Sequence, residues 1–271
     1  MKWIAHLFAV LAVAALPAAA QVDGIAQAQL RVGGQMDDGR LLGAVQITLN
    51  PDWKTYWRSP GEGGLPPHFN WTGSENLADV GIIWPRPQVF TSAGITNIGY
   101  HDDLVLPIAI TPVDASQPVQ VQLHMTLGVC KDICIPADLT FSAQVGPNMP
   151  PDPVIQTALA QQPVTLSAQD LAGISCTAAP IKDGMTLTAK IILPPDGTGP
   201  ETVAPETVVI EHSAAGMWLS SAQLTREGDL LTAVADIVPP SAKPFDINGR
   251  DLRITVIRPQ TAFEIIGCPV E

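Results

Sequence analysis

From Val119 to Val129 every odd position is apolar (Val119, Val121, Leu123, Met125, Leu127, Val129), while the even positions hold Gln120, Gln122, His124, Thr126 and Gly128. A period of two sends alternate side chains to opposite faces, so this stretch predicts a half-buried β-strand. Shorter runs repeat the pattern: Val45, Ile47 and Leu49; Leu104, Leu106, Ile108 and Ile110; Leu139, Phe141, Ala143 and Val145; Leu187, Ala189, Ile191 and Leu193; Leu252, Ile254 and Val256. Between them lie clusters such as Ser59-Pro60-Gly61-Glu62-Gly63-Gly64 and Pro194-Pro195-Asp196-Gly197, which favour turns. Short alternating strands separated by such turns predict an all-β chain built from antiparallel β-sandwiches.

One segment departs from this pattern. Asp152 can cap a helix, Pro153 suits its first position, and Val154, Ile155, Ala158 and Leu159 form one apolar stripe before Pro163 ends it. A chain of 271 residues exceeds the usual size of a single core, so this short helix reads as a connector between two units. The expected division is a signal peptide at 1–20, a first sandwich at 21–147, a connector at 148–163 and a second β-domain at 164–271.

The signal peptide rests on Lys2, an apolar stretch from Ile4 to Leu16, and the small residues Ala18-Ala19-Ala20, with cleavage expected after Ala20. The stretch is shorter than the roughly 20 residues a membrane-spanning helix needs. The formal net charge is -12, and losing Lys2 with the signal makes it -13. Such an acidic surface is a poor match for nucleic acid or anionic lipid.

All four cysteines lie in the exported part, where an even count predicts two disulfides. Four cysteines allow three connectivities, and loop length separates the roles of the pairs. On a chain-entropy model, a Cys130–Cys134 bridge is worth about 2 kcal/mol and a Cys176–Cys268 bridge about 4.6 kcal/mol. The second pair reads as structural, since Cys268 lies near the chain end. The first closes a very small loop, and its removal would leave its host folded, as a redox carrier requires. An ordinary hairpin disulfide is the competing reading. In the phase of the strand Cys130 falls on the polar face, and the alternation resumes after Cys134, so both thiols are expected close together and accessible at a sheet edge. Lys131 favours a thiolate nearby and Asp132 opposes it; which cysteine attacks stays open.

Three blocks carry a resemblance to a known family: Asn50-Pro51-Asp52-Trp53-Lys54-Thr55-Tyr56-Trp57-Arg58-Ser59-Pro60-Gly61-Glu62-Gly63-Gly64-Leu65-Pro66, then Gly99-Tyr100-His101-Asp102-Asp103-Leu104-Val105-Leu106-Pro107, then Gly128-Val129-Cys130-Lys131-Asp132-Ile133-Cys134-Ile135-Pro136. Over roughly residues 25–146 they resemble the N-terminal periplasmic domain of the thiol reductase DsbD, and more closely its ScsB-like branch, which is linked to copper tolerance. The resemblance implies an immunoglobulin-like sandwich in the periplasm that takes electrons from a membrane-embedded thiol reductase (DsbD- or CcdA-like) and passes them to thioredoxin-like clients. Cys130 and Cys134 match the redox pair. Phe90 matches an aromatic cap over the disulfide, with Tyr56, Trp57 and Tyr100 as neighbours, although Gln88 and Val89 replace the acidic residues that flank the family's cap. The longer relatives continue into a membrane relay and a thioredoxin-like domain, neither of which precedes Glu271 here, so the expectation is either that a separate membrane protein reduces it or that it is a stand-alone exchanger whose donor is unknown.

No cofactor and no metal are expected. A copper-binding reading would use His68, His101, His124, Met125 and the cysteines. Against it, His124 and Met125 are adjacent and point to opposite strand faces. A second alternative is a non-redox interaction module, favoured if Cys130 and Cys134 prove inert. Hydrolase readings lack a Gly-x-Ser-x-Gly elbow, and the glycines of 61–64 open no helix that could cradle phosphate.

Overall fold

The computed structural model describes residues 23–92, 94–166, 173–193 and 206–270. The expected signal segment and the Pro194–Gly197 turn lie outside the described residues. The fold is all-β: an immunoglobulin-like antiparallel sandwich followed by a second β-sandwich, with one short helix between them.

Ten strands make the first sandwich: β1 (Ile25–Gln35), β2 (Leu41–Leu49), β3 (Lys54–Gly61), β4 (His68–Asn70), β5 (Leu77–Ile82), β6 (Gln88–Ser92), β7 (Ile95–His101), β8 (Asp103–Pro112), β9 (Val119–Cys130) and β10 (Cys134–Val145). One sheet runs β1-β2-β8-β5 and the other β10-β9-β3-β7-β6, with β4 also pairing β9. The core lies between them. Val45 and Ile47 from β2, Leu106 and Ile108 from β8, Trp57 from β3, and Leu123, Met125 and Val129 from β9 are all essentially inaccessible. Apart from Trp57, these are the residues the period-two pattern marks as inward.

The helix α1 (Pro153–Leu159) starts where the sequence places it. The Asp152 carboxylate accepts hydrogen bonds from the backbone N–H of Val154 (2.7 Å) and Ile155 (3.3 Å), and Arg31 holds it by an ion pair of 2.7 Å. The helix is not a bare connector: Ile155 packs on Leu42 and Ala44, covering the outer face of β2. That explains why β2 is apolar in both phases from Leu41 to Val45, where simple alternation fails.

Another departure concerns Ser59-Pro60-Gly61, expected to be a turn. β3 continues through it to Gly61. Its pairing with β7 is interrupted between Tyr56 and Gly61, so Pro60 has no ladder hydrogen bond to deny, and Gly61 supplies the φ of +81° at which the chain leaves the strand.

The second sandwich comprises β11 (Val164–Leu166), β12 (Ile174–Pro180), β13 (Met185–Ile192), β14 (Thr207–His212), β15 (Trp218–Leu219), β16 (Gln223–Glu227), β17 (Leu230–Val238), β18 (Leu252–Ile257) and β19 (Ala262–Ile266). Its sheets run β11-β19-β18-β14 and β12-β13-β17-β15, with β16 on β17. All pairings are antiparallel except β11 with β19. The two sandwiches touch. Val209 and Ile257 join the first core, and Arg58 of β3 donates to Glu211 of β14 and Glu264 of β19.

Cys176 of β12 is bridged to Cys268, their Cα atoms 5.9 Å apart and 92 residues apart in sequence. Both are buried, and the link ties the last residues to β12, where Cys176 also forms an isolated bridge with Val270. Replacing both with serine should lower stability by about 2–5 kcal/mol. The check is a thermal melt of the oxidised protein, in which an unchanged midpoint would show that the bridge contributes nothing.

Candidate functional site

β9 and β10 pair without a register shift from Val119 opposite Val145 to Cys130 opposite Cys134. The three residues Lys131, Asp132 and Ile133 turn the hairpin. Because odd residues of β9 fill the core, Cys130 points to the outer face, and its cross-strand partner Cys134 points the same way. The two form a disulfide with Cα atoms 4.1 Å apart.

The two sulfurs do not share one environment. Cys134 is exposed beside the hairpin tip, where Ile133 is 72% exposed, whereas Cys130 is 1% exposed. The expectation of two accessible thiols is therefore corrected for Cys130. The cause is the segment after Gly61, which folds back over the outer face of β3 and β9. A β-carbon built on Gly64 would stand 2.5 Å from the Tyr56 ring, and one built on Gly128 would stand 2.7 Å from that of Leu65. Only glycine permits both approaches.

Tyr56 and Lys54 flank the disulfide, and Phe90 and His101 lie beyond Lys54. The Tyr56 hydroxyl lies 3.2 Å from Cys134 Sγ, and burial raises its pKa, so the phenol stays protonated at neutral pH and can donate to sulfur. Lys54 stands directly opposite Cys130 in the ladder, is 8% exposed, and donates from Nζ to the carbonyl of Lys131 at 3.1 Å. The Phe90 ring has Lys54 Nζ 5.8 Å from its centroid and packs edge-on against His101 at 4.7 Å. His101 is the β7 neighbour of Lys54.

The structure thus brings Cys130, Cys134 and Tyr56 together, while Phe90, on β6 two strands beyond β3, touches Lys54 and His101. Trp57 and Tyr100, expected beside them, point through the sheet into the core. Trp57 carries the Arg58 guanidinium 4.1 Å over its ring, and the Tyr100 hydroxyl donates to the Pro85 carbonyl at 2.9 Å. Strand phase separates them, because Tyr56 is outward and its neighbour Trp57 inward. Lys54, which sequence reasoning passes over, shares the outward phase of Tyr56, and that i, i+2 relation is the signal that could have found it. Lys131 is occupied elsewhere, in an ion pair of 3.0 Å with Asp52. Among the residues of the copper reading, His124 is exposed while Met125 is buried. Among the described residues no three His, Cys, Asp or Glu side chains gather as a metal site.

A β-sandwich with one disulfide at a hairpin end, half covered and half open, is an arrangement that fits a thiol–disulfide interchange domain. Residues 24–145 match the family described as thiol:disulfide interchange protein DsbD, N-terminal. Among solved structures the chain is similar to the crystal structure of the N-terminal periplasmic domain of ScsB from Proteus mirabilis, with a TM-score of 0.62 and 27% identity over 88% of this chain and 90% of that one. That coverage extends beyond the family match, so the likeness includes the second sandwich. No curated protein gives a significant match.

His101 reports on the charge within the site. Its pKa is lowered from 6.5, first by burial and then by the Lys54 ammonium, with Asp102 opposing. A histidine depressed in the folded state favours the neutral form, so its contribution to stability is present above about pH 6.5 and is lost as pH falls through the folded value. An NMR titration should place the His101 midpoint below 6.5, and Lys54→Met should move it upward. A midpoint that does not move would show that the ammonium is not felt there.

Proposed function

We propose that this is a periplasmic electron carrier in which Cys130 and Cys134 cycle between disulfide and dithiol. It would accept electrons from a membrane-embedded thiol reductase and pass them to thioredoxin-like clients. The observation that carries this reading is the inequality of the two sulfurs: Cys134 is exposed and Cys130 is covered. Exchange needs in-line attack on one sulfur, so Cys134 is the atom that meets partners and Cys130 is the one that leaves and later resolves. In this reading Phe90 serves as a lateral shield, supported by its ring lying under the ammonium of Lys54, the residue paired with Cys130. The periplasmic setting is supported by the likeness to the ScsB domain and by the leader-like residues 1–20. Among the described residues no helix is long and apolar enough to cross a membrane.

The decisive experiment is a redox titration of the protein in glutathione or dithiothreitol buffers, with alkylation and mass mapping. Cys130 and Cys134 should titrate as a reversible pair between about -300 and -120 mV, while Cys176 and Cys268 stay bridged. Cys130→Ser should trap a mixed disulfide through the Cys134 thiolate with a disulfide-bearing partner, whose displaced sulfur leaves as a thiol, and Cys134→Ser should trap none, both variants remaining folded. Resistance of the pair to reduction until the protein unfolds would instead identify a non-redox binding module.

A further inference from the structure

Lys54 is a buried cation with no anion beside it. Its ammonium has the Lys131 carbonyl and the face of Phe90, and among the described residues no carboxylate lies within ion-pairing distance of it. The charged groups on every surrounding element are accounted for. On β3 itself, Arg58 is held by Glu211 and Glu264; ahead of the strand, Asp52 is taken by Lys131. On β7 stands His101, followed by the exposed Asp102; β6 contributes no charge; on the hairpin loop Asp132 is exposed; beyond Gly61, Glu62 accepts from Ser221. An ammonium withdrawn from water without a counter-charge is costly, and a buried site normally supplies one.

We infer that the missing counter-charge is the thiolate of Cys130, and that Lys54 is the cation that stabilises it when the disulfide is opened. The inference rests on the exchange reading and assigns its electrostatics. The two residues are paired across the ladder, so their side chains leave the same face of the sheet from neighbouring strands. The Lys54 Nζ hydrogen bond to Lys131 draws the charge to the residue that follows Cys130 in the chain. Tyr56 attends the other sulfur, so the two sulfurs have separate supports.

The electron balance follows from this placement. A thiolate of a dithiol partner attacks Cys134 Sγ, the Cys130–Cys134 bond breaks, and its electron pair leaves on Cys130 Sγ as a thiolate beside Lys54. The new bond joins the partner to Cys134. The partner's second thiol then loses its proton to solvent and attacks the partner's own bridged sulfur, and Cys134 leaves and takes up a proton from solvent. Two electrons have moved from the partner dithiol to the cysteine pair, and the partner ends as a disulfide. In the oxidised protein Lys54 has no charge to meet, and in the reduced protein it does, so the ammonium favours reduction as well as speeding the departure of Cys130.

The test needs no partner, so it is independent of whether exchange with clients occurs. In the Cys134→Ser protein, with Cys176 and Cys268 still bridged, the ultraviolet thiolate absorbance reports Cys130 alone as pH is varied. Lys54→Met should raise the pH at which the Cys130 thiolate forms, cutting its fraction below the midpoint about tenfold or more, as for loss of an opposite charge a few ångströms away. Lys54→Arg, which keeps the charge, should stay near the parent. With both cysteines present, Lys54→Met should shift the equilibrium with glutathione toward the disulfide by a similar factor. If Lys54→Met does not fold, Lys54→Gln keeps a donor for the Lys131 carbonyl and carries the same comparison. Coincident titrations of parent and neutral variant would overturn the proposal, as would loss of the effect in Lys54→Arg equal to that in Lys54→Met.

Discussion

The register of β9 against β10 is the constraint on which the site depends. The two strands pair over the whole length from Val119 to Cys130 without a slip. The inward set Val119, Val121, Leu123, Met125, Leu127 and Val129 fixes that register, because a slip of one residue would turn all of them to solvent. The same set fixes which way the cysteines point: Cys130 takes the opposite phase and meets Cys134 on the outer face. The disulfide is thus positioned by a hairpin whose packing lies on the far side of the sheet. Opening it removes a short loop closure worth about 2 kcal/mol and leaves every core contact of β9 in place. A bond that is cheap to break, on a hairpin held by packing on the other side of the sheet, suits the proposed carrier role.

Much of this was legible in the sequence, for a definite reason. Strand identity, the outward phase of Cys130 and the cap and stripe of α1 each follow from residues within a few positions of one another, where backbone geometry alone decides. What was not legible depends on contacts between distant segments. The covering of Cys130 requires Gly64 and Leu65 to fold back over Tyr56 and Gly128, and the turn-like composition of 59–64 does not reveal that the strand first continues to Gly61. Trp57 and Tyr100 were grouped with Tyr56 by proximity in sequence and by the resemblance, but strand phase sends them to the core. Lys131 drew notice because it sits between the cysteines, yet Asp52 holds it at the surface. Lys54, some 76 positions from Cys130, became visible only once β3 was laid beside β9.

The same strand links the site to the second sandwich. Arg58 follows Tyr56 by two residues, lies over Trp57, and is clamped by Glu211 and Glu264. Its side chain is largely withdrawn from solvent, so losing both carboxylates would leave a largely buried guanidinium uncompensated, which costs more than the pairs gain in forming. Beyond Gly61, Glu62 accepts a hydrogen bond from Ser221 at 3.0 Å, so the segment that covers Cys130 is also held from the second sandwich. Lys54 and Tyr56, which flank the sulfurs, and the cover above them are therefore anchored at one end by residues more than 150 positions away. A sandwich whose own disulfide is buried thereby helps fix the shape of the one whose disulfide reaches the surface. This gives a physical reason for the likeness to the ScsB domain to run through both halves rather than stopping with the disulfide-bearing sandwich.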